Sequence, residues 1–243
     1  MNRKIIRFLS VFLAVVLCAG GTFAAGESVS AADEIRAAER INLIPPCLQN
    51  ADLSGEITLA EYAALAVRVF EEVWQTQEIP VSMPFPGVKG HALQRELETA
   101  YGLGLINCFR EDHFSPDWFL RRQMLAMLWG YLYKACEYDD WTYENDAAFP
   151  LEYEAYPLYE DLADVDPLAE DSVCFLTEKN LMPGISADRF DPEASATRAQ
   201  AIVTAYRIFC LEGETEEEDS WNLDIPSGAI LPESGGALDL PDF

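Results

Sequence analysis

The pattern of apolar and polar positions predicts helices along most of the chain, and it is clearest over residues 190–209. Within this stretch, Thr197 and Gln200 have the spacing of a capping box, in which each side chain hydrogen-bonds the backbone amide of the other residue. Apolar residues then recur at the spacing of one helix face: Ile202, Ala205, Tyr206 and Phe209. The stretch therefore predicts a helix that begins after Thr197 and packs its apolar face on a core.

Arg198 is an unexpected residue in the first turn of this helix. The positive end of the helix dipole lies there and disfavours a cation by about 0.3–1 kcal/mol. A guanidinium beside unpaired N-terminal amides is, however, well suited to bind a carboxylate. Arg198 is therefore a candidate binding residue, and an ion pair with a carboxylate of the protein itself is the alternative.

Three segments share the order helix, loop and second helix, which indicates internal repeats. The first helices are predicted over residues 31–43, 93–103 and 168–180. The second helices follow the motifs at 58–61, 120–123 and 197–200, of which the first and third are capping boxes. The pattern therefore predicts two helices in each of the three segments.

The spacing between the segments is nearly constant, which supports the repeat assignment. The spacing that separates Glu61 from Gln123 also separates matched residues of the first helices. Arg121 is aligned with Arg198 by allowing one additional residue. Arg121 is therefore the predicted equivalent of Arg198 in the second repeat, and an ion pair with a carboxylate of the protein is the alternative for Arg121 as well.

These patterns divide the chain into six parts. They are a signal peptide and leader (1–32), repeat 1 (33–76), repeat 2 (83–136), an acidic aromatic linker (137–158), repeat 3 (159–211) and an acidic disordered tail (212–243). The linker contains no basic residue, but its aromatic residues argue against simple disorder and predict a partly packed segment. Its Trp141, Tyr143 and Tyr156 are expected to cover the core, with stacking on carbohydrate as the alternative. The tail is rich in acidic residues, glycine and proline, which is typical of a solvated segment.

The first residues have the pattern of a secretory signal. Basic residues precede an apolar run at 8–18 that is too short to span a bilayer well, and small residues follow with possible cleavage after Ala24, Ala25 or Ala32. We therefore expect an exported protein with no membrane insertion after the signal is removed. Its net charge of −26 argues against binding to nucleic acid or to anionic membrane surfaces.

Five cysteines follow the leader, at widely separated positions and without a Cys-x-x-Cys pair: Cys47, Cys108, Cys136, Cys174 and Cys210. This arrangement disfavours a zinc site. One or two disulfides would suit an exported chain, but small buried apolar residues are the favoured interpretation.

These motifs resemble those of a known family, the S-layer homology (SLH) domain. The third repeat carries the resemblance best, with an aspartate segment at 162–165 and the F-x-P and T-R-A-Q motifs at 190–200. The second repeat has a glycine-containing loop at 102–107 followed by Phe114-Ser115-Pro116, and the first has Ile57-Thr58-Leu59-Ala60-Glu61.

The resemblance implies an all-α fold, a pseudo-threefold bundle of three helix–loop–helix repeats with grooves between them. It also implies anchoring of a Gram-positive-type surface protein to secondary cell-wall polymers that carry pyruvate ketals. In that setting the motif arginine grips the pyruvyl carboxylate, so the implied glycan-binding residues are Arg198, Arg121 and Thr197. Leu59 stands where the first repeat would need its arginine, so we expect at most two competent grooves.

Two other classes of binding function stay open. A degenerate scaffold with this fold would serve protein–protein interaction with a surface partner and bind no glycan. Residues 50–61 also match the ligand positions of an EF-hand loop, although Pro45 and Pro46 break the entering helix and Glu61 is accounted for as a capping residue.

Enzyme activity is not expected. His91 and His113 are the two histidines, and neither lies near a nucleophile motif or a pair of metal ligands. We therefore predict no catalytic residue, no resident metal and no cofactor. The partner that the resemblance implies is a cell-wall polysaccharide.

Overall fold

The computed structural model describes residues 30–110 and 114–220, in which helices are joined by loops. The described residues form six α-helices, two short 3-10 helices and no β-strand. The α-helices are α1 (Ala31–Arg40), α2 (Leu59–Trp74), α3 (Gln94–Gly102), α4 (Arg122–Glu137), α5 (Glu170–Glu178) and α6 (Arg198–Ser220). The predicted all-α fold class is confirmed, and every predicted helix is present with ends that differ by a few residues.

The two predicted capping boxes are formed. The Thr58 hydroxyl accepts from the backbone N–H of Glu61 at 3.2 Å, and the Thr58 N–H donates to the Glu61 carboxylate at 3.0 Å. Thr197 and Gln200 make the same two hydrogen bonds at 3.2 and 3.0 Å. Helices α2 and α6 therefore begin where the sequence predicts.

Helix α6 extends into the segment predicted as the tail. Its backbone is helical through Ser220. Glutamate is a good helix former, and a helix already nucleated on the core extends at little further cost. Residues 221–243 lie outside the described part of the chain, as do most of the predicted leader and His113.

Helix α2 is the centre of the core. It packs on α3, α4 and α6, and most of its side chains are buried. Tyr62 lies edge-on to Trp129 of α4, with ring centroids 4.9 Å apart, and its hydroxyl donates to the Leu128 carbonyl at 2.7 Å. At the sides of this core, α4 packs on α5, and α1 packs on α6.

The acidic aromatic linker is packed against the bundle. Trp141 is buried, and its indole N–H donates to Asp146 at 2.9 Å. The buried Lys134 of α4 pairs with the same carboxylate at 2.8 Å. Tyr143 is half-buried, whereas Tyr156 is exposed. Trp141 therefore covers the core, and Asp146 ties the linker to α4.

The segments that precede α2, α4 and α6 meet in a closed ring of backbone hydrogen bonds. Ile57 N–H donates to the Ala196 carbonyl at 3.0 Å, Ala196 N–H to Leu120 at 2.8 Å, and Leu120 N–H back to Ile57 at 3.0 Å. We call this arrangement the motif ring. It brings the N-terminal ends of α2, α4 and α6 together. The pseudo-threefold arrangement of complete repeats stays a prediction.

Within the described residues, no helix combines the length and apolar character that crossing a bilayer requires.

Candidate functional site

The motif ring aligns the three helix starts residue by residue. In a second set of hydrogen bonds, the N–H groups of Leu59, Arg122 and Arg198 donate to Trp118, Ala194 and Gly55 respectively, at 2.8–3.0 Å. Leu59, Arg122 and Arg198 are therefore equivalent.

The predicted equivalence of Arg121 with Arg198 is wrong. Arg121 occupies the N-cap position that Thr58 and Thr197 hold at the starts of α2 and α6, and it makes no side-chain cap. Two adjacent arginines allowed either alignment. Aligning Gln123 with the capping residue Glu61 led to the incorrect alignment. A glutamine can act as a capping residue, so its presence alone does not show that it holds the capping position.

Arg198 is paired with a carboxylate of the first repeat. Its Nε lies 3.0 Å from both oxygens of Glu61, and its Nη2 lies 2.9 Å from Oε1. Its Nη1 donates to the Asp52 carbonyl at 3.2 Å. A Cβ atom at Gly55 would lie 2.5 Å from that Nη1, so any larger residue there would make the guanidinium shift. The ion-pair alternative for Arg198 is therefore what the structure contains.

Arg122, the true equivalent of Arg198, is buried, with 3% of its surface exposed. Its Nε donates to the Phe190 carbonyl at 2.8 Å, and its Nη2 donates to Pro183 at 3.2 Å. The guanidinium also lies 4.8 Å from the centre of the Phe190 ring, and burial lowers the pKa of Arg122. Arg122 and Arg198 therefore perform the same task, since each guanidinium donates to backbone carbonyls of a loop that is distant in the chain.

Arg121 differs from both because it faces solvent. Its side chain is 59% exposed and pairs with Glu193, whose side chain is 54% exposed. The other oxygen of Glu193 accepts from the Gln123 side chain. Gln123 in turn accepts from the Asp166 backbone N–H at 2.6 Å. The ion-pair alternative is therefore present at Arg121 too, but this pair faces solvent and belongs to a short polar network.

This network lines a groove of about 620 Å³ between repeat 2, the linker and the start of repeat 3. We call it the Arg121 groove. Its lining residues are Cys108, Phe109, Trp118, Phe119, Arg121, Gln123, Met124, Met127, Tyr131, Tyr143, Asp166, Leu168, Ala169 and Glu193. Among these described lining residues, Arg121 is the one cation, and Trp118, Phe119 and Leu168 are large apolar side chains exposed to solvent.

A second cavity, of about 460 Å³, lies near the C-terminal ends of α2, α3 and α4. Its charged lining residues within the described chain are Glu78, Asp139 and Glu144. An acidic cavity of this kind repels anions, so the Arg121 groove is the better candidate for an anionic ligand.

The loop proposed for calcium has its ligands otherwise engaged. Glu61 holds Arg198 and caps α2, while an oxygen of Asp52 accepts from the Ser54 N–H and hydroxyl at 3.0 and 2.7 Å. These bonds lower the pKa of Asp52. In the part of the chain that the structure describes, no group of three His, Cys, Asp or Glu side chains is placed to hold a metal ion.

Residues 158–202 match the family model of the S-layer homology domain. This match supports the presence of an SLH domain in that part of the chain. The matched segment includes α5, one side of the motif ring and Arg198, so the resemblance is confirmed where the sequence carries it best. SLH domains anchor proteins at the cell surface and are not catalytic. The presence of three repeats stays a prediction. A comparison with curated proteins found no match to the chain.

Sequence reasoning missed the aromatic wall of the Arg121 groove. In the register of the ring, Trp118 and Phe119 stand where repeat 3 has Ala194 and Ser195. The replacement of two small residues by two large aromatic ones is a signal that the sequence contains. It emerges only when the correct register is used.

Proposed function

We propose that this protein is an exported, wall-associated protein of a Gram-positive-type bacterium that binds an anionic, pyruvylated cell-wall polymer without covalent attachment. The SLH domain at 158–202 supports the general role in surface anchoring. The finer proposal rests on the Arg121 groove.

The observation that carries the proposal is a solvent-facing arginine in an aromatic groove. The guanidinium of Arg121 is more than half exposed, so a ligand carboxylate can reach it. A planar guanidinium binds a carboxylate through two parallel hydrogen bonds, which favours a pyruvyl group over an uncharged sugar. Trp118 and Phe119 offer apolar surface beside it, on which the sugar ring can lie.

Arg198 and Thr197, the other residues implied by the family resemblance, have less freedom to bind. A ligand carboxylate could reach the Arg198 guanidinium only by displacing Glu61, and the Thr197 hydroxyl already accepts from Gln200. We therefore assign the main grip to Arg121 and test the other two separately.

The experiment is sedimentation of the full exported protein with purified cell walls, with and without chemical removal of pyruvate. Arg121→Ala is expected to weaken binding about 10- to 100-fold, the effect of losing charge-assisted hydrogen bonds worth about 1.5–3 kcal/mol. Trp118→Ala should weaken it less. Arg36→Ala removes an equally exposed arginine outside the groove and should leave binding unchanged.

Three outcomes would contradict the proposal. Equal binding by Arg121→Ala and the native protein would remove Arg121 from the site. Loss of binding by Arg198→Ala alone, in a folded protein, would move the site to the other arginine. Unchanged binding to walls without pyruvate would show that the ligand is a different polymer.

The second candidate function is a scaffold for protein–protein interaction. The observation in its favour is that both motif-equivalent arginines, Arg122 and Arg198, are engaged within the protein. Failure of the native protein to bind any wall preparation would favour this function.

A further inference from the structure

Glu193 lies in the Arg121 groove and makes two contacts with its side chain. One carboxylate oxygen accepts from Arg121 Nη1 and the other from Gln123 Nε2. Gln123 is itself held by the Asp166 backbone N–H at 2.6 Å. Glu193 is therefore aimed at Arg121 by a neighbouring side chain that has its own anchor.

The contact changes what the groove offers to an anion. The charged side chains among its described lining residues are Arg121, Glu193 and Asp166, so carboxylates outnumber the cation. A ligand carboxylate that approaches Arg121 meets a guanidinium already neutralised and a second negative charge beside it. Binding of an anion then requires Glu193 to move aside or to tolerate a like charge.

We propose that Glu193 is an internal counter-ion that competes with the ligand carboxylate for Arg121 and thereby sets the affinity of the groove. This inference rests on the proposed function of the groove as an anion site. In the free protein Glu193 occupies Arg121, and in the complex the ligand carboxylate replaces it. Glu193 is thus a specificity-determining residue, because it selects ligands whose carboxylate pairs with Arg121 better than its own does.

The exposure of the pair limits the size of the effect. Arg121 and Glu193 are 59% and 54% exposed, and ion pairs exposed to this extent are weak. Removing the competitor should therefore raise the affinity by about two- to fivefold rather than by orders of magnitude.

The test is titration of purified, pyruvylated wall polymer with the full exported protein and five variants. Glu193→Gln keeps the size of the side chain and removes its charge, and should bind about two- to fivefold more tightly. Glu193→Asp keeps the charge but shortens the reach to Arg121. Glu160→Gln removes an exposed charge outside the groove and controls for the net charge of the protein. Arg121→Ala and the double variant complete a mutant cycle.

The competitor model requires that Glu193→Gln strengthen binding, that Glu160→Gln leave it unchanged, and that Glu193→Gln have no effect once Arg121 is removed. Equal strengthening by Glu160→Gln would overturn it, because the effect would then be general charge repulsion. Weaker binding by Glu193→Gln would also overturn it and would make Glu193 a direct ligand contact. Thermal unfolding of each variant separates these effects from a loss of folding.

The same titration distinguishes failure of this inference from failure of the proposed function. If Arg121→Ala abolishes binding but Glu193→Gln binds as the native protein does, the groove is the site and Glu193 is not its competitor. If neither the native protein nor Glu193→Gln binds the polymer, both proposals are wrong. Binding by Glu193→Gln alone would support the inference in its strongest form.

Discussion

Arg198 and Glu61 form an ion pair that joins the third predicted repeat to the first, with Nη2 2.9 Å from Oε1. Both side chains are largely buried, at 19% and 15% exposure. Glu61 lies in the first turn of α2, where a carboxylate is favoured, and its charge offsets the unfavourable position of Arg198 in the first turn of α6. The pair therefore explains why an arginine lies in the first turn of α6. We call this ion pair the clamp, because it joins two of the helix starts that meet at the motif ring.

Loss of either partner of this clamp should destabilise the protein. We expect Arg198→Ala and Glu61→Ala each to lower the free energy of unfolding by about 2–3 kcal/mol, because each leaves a largely buried charge without its partner. The double variant should lose less than the sum of the two. Urea unfolding followed by circular dichroism measures all three.

The exposed pair of Arg36 and Asp33 on α1 is the control for this clamp. Arg36→Ala should change stability by less than about 1 kcal/mol, as exposed ion pairs do. Additive losses in the Arg198 and Glu61 variants would show that the two side chains do not stabilise each other.

Arg122 and Arg121 are adjacent, yet replacing them should affect the stability of the protein very differently. Arg122→Ala removes donors from the Phe190 and Pro183 carbonyls and the cation above the Phe190 ring, and we expect a loss of about 3 kcal/mol or more. Arg121→Ala should stay within about 0.5 kcal/mol of the native protein. Thermal unfolding tests this difference, and similar melting temperatures would contradict the assignment of Arg122 as a buried clamp.

The fold was predictable because its signals are local. Helix starts depend on capping residues within one turn, and the apolar stripe of α2 follows the helical period that buries Tyr62 and Leu65. The helical end of α6 was missed because composition alone does not decide between a charged helix and a solvated tail.

The candidate site was predictable only in part, because it depends on register between distant segments. Arg121 and Arg122 are chemically identical in the sequence, and only the hydrogen bonds from Leu120 to Ile57 and from Ala196 to Leu120 decide which one faces inward. The pairing of Arg121 with Glu193 depends on the same register. No local pattern contains this information, since the partners lie far apart in the chain.

Asp161 should make the stability of the third repeat depend on pH. Its carboxylate accepts from the backbone N–H groups of Phe190 and Asp191 at 2.9 and 2.8 Å. Burial acts to raise the pKa of Asp161, but these donors and the nearby Arg189 outweigh it and lower the pKa below its ordinary value of 3.8. The carboxylate form therefore stabilises the folded protein above pH 3.8, and this contribution is lost as the pH falls through the lower, folded-state pKa.

Asp161→Asn should therefore be less stable than the native protein at pH 7, by about 1–3 kcal/mol, and the gap should shrink below about pH 4. Urea unfolding at a series of pH values provides the measurement. Asp164→Asn, a change at an exposed position in the same turn, should alter stability by less than about 0.5 kcal/mol. A gap for Asp161→Asn that grows toward low pH would contradict the sign of this linkage.

Arg121 stands at a helix N-cap where the other two repeats have threonine, so its presence there carries a cost in stability. Its backbone has the extended conformation that a cap requires, with φ −75° and ψ 156°, close to the −88° and 163° of Thr58. Arg121→Thr should therefore cap α4 and raise the free energy of unfolding by up to about 1 kcal/mol, while Thr197→Ala should lower it by about the same amount.

The same Arg121→Thr variant should lose its binding to pyruvylated walls. A gain in stability together with a loss of binding would indicate that Arg121 serves binding at the expense of stability. Such a trade-off between stability and function is expected at a binding site. Chemical unfolding and wall sedimentation on one preparation measure both quantities. If Arg121→Thr gained stability and still bound the wall, the groove would be no part of the anchoring surface.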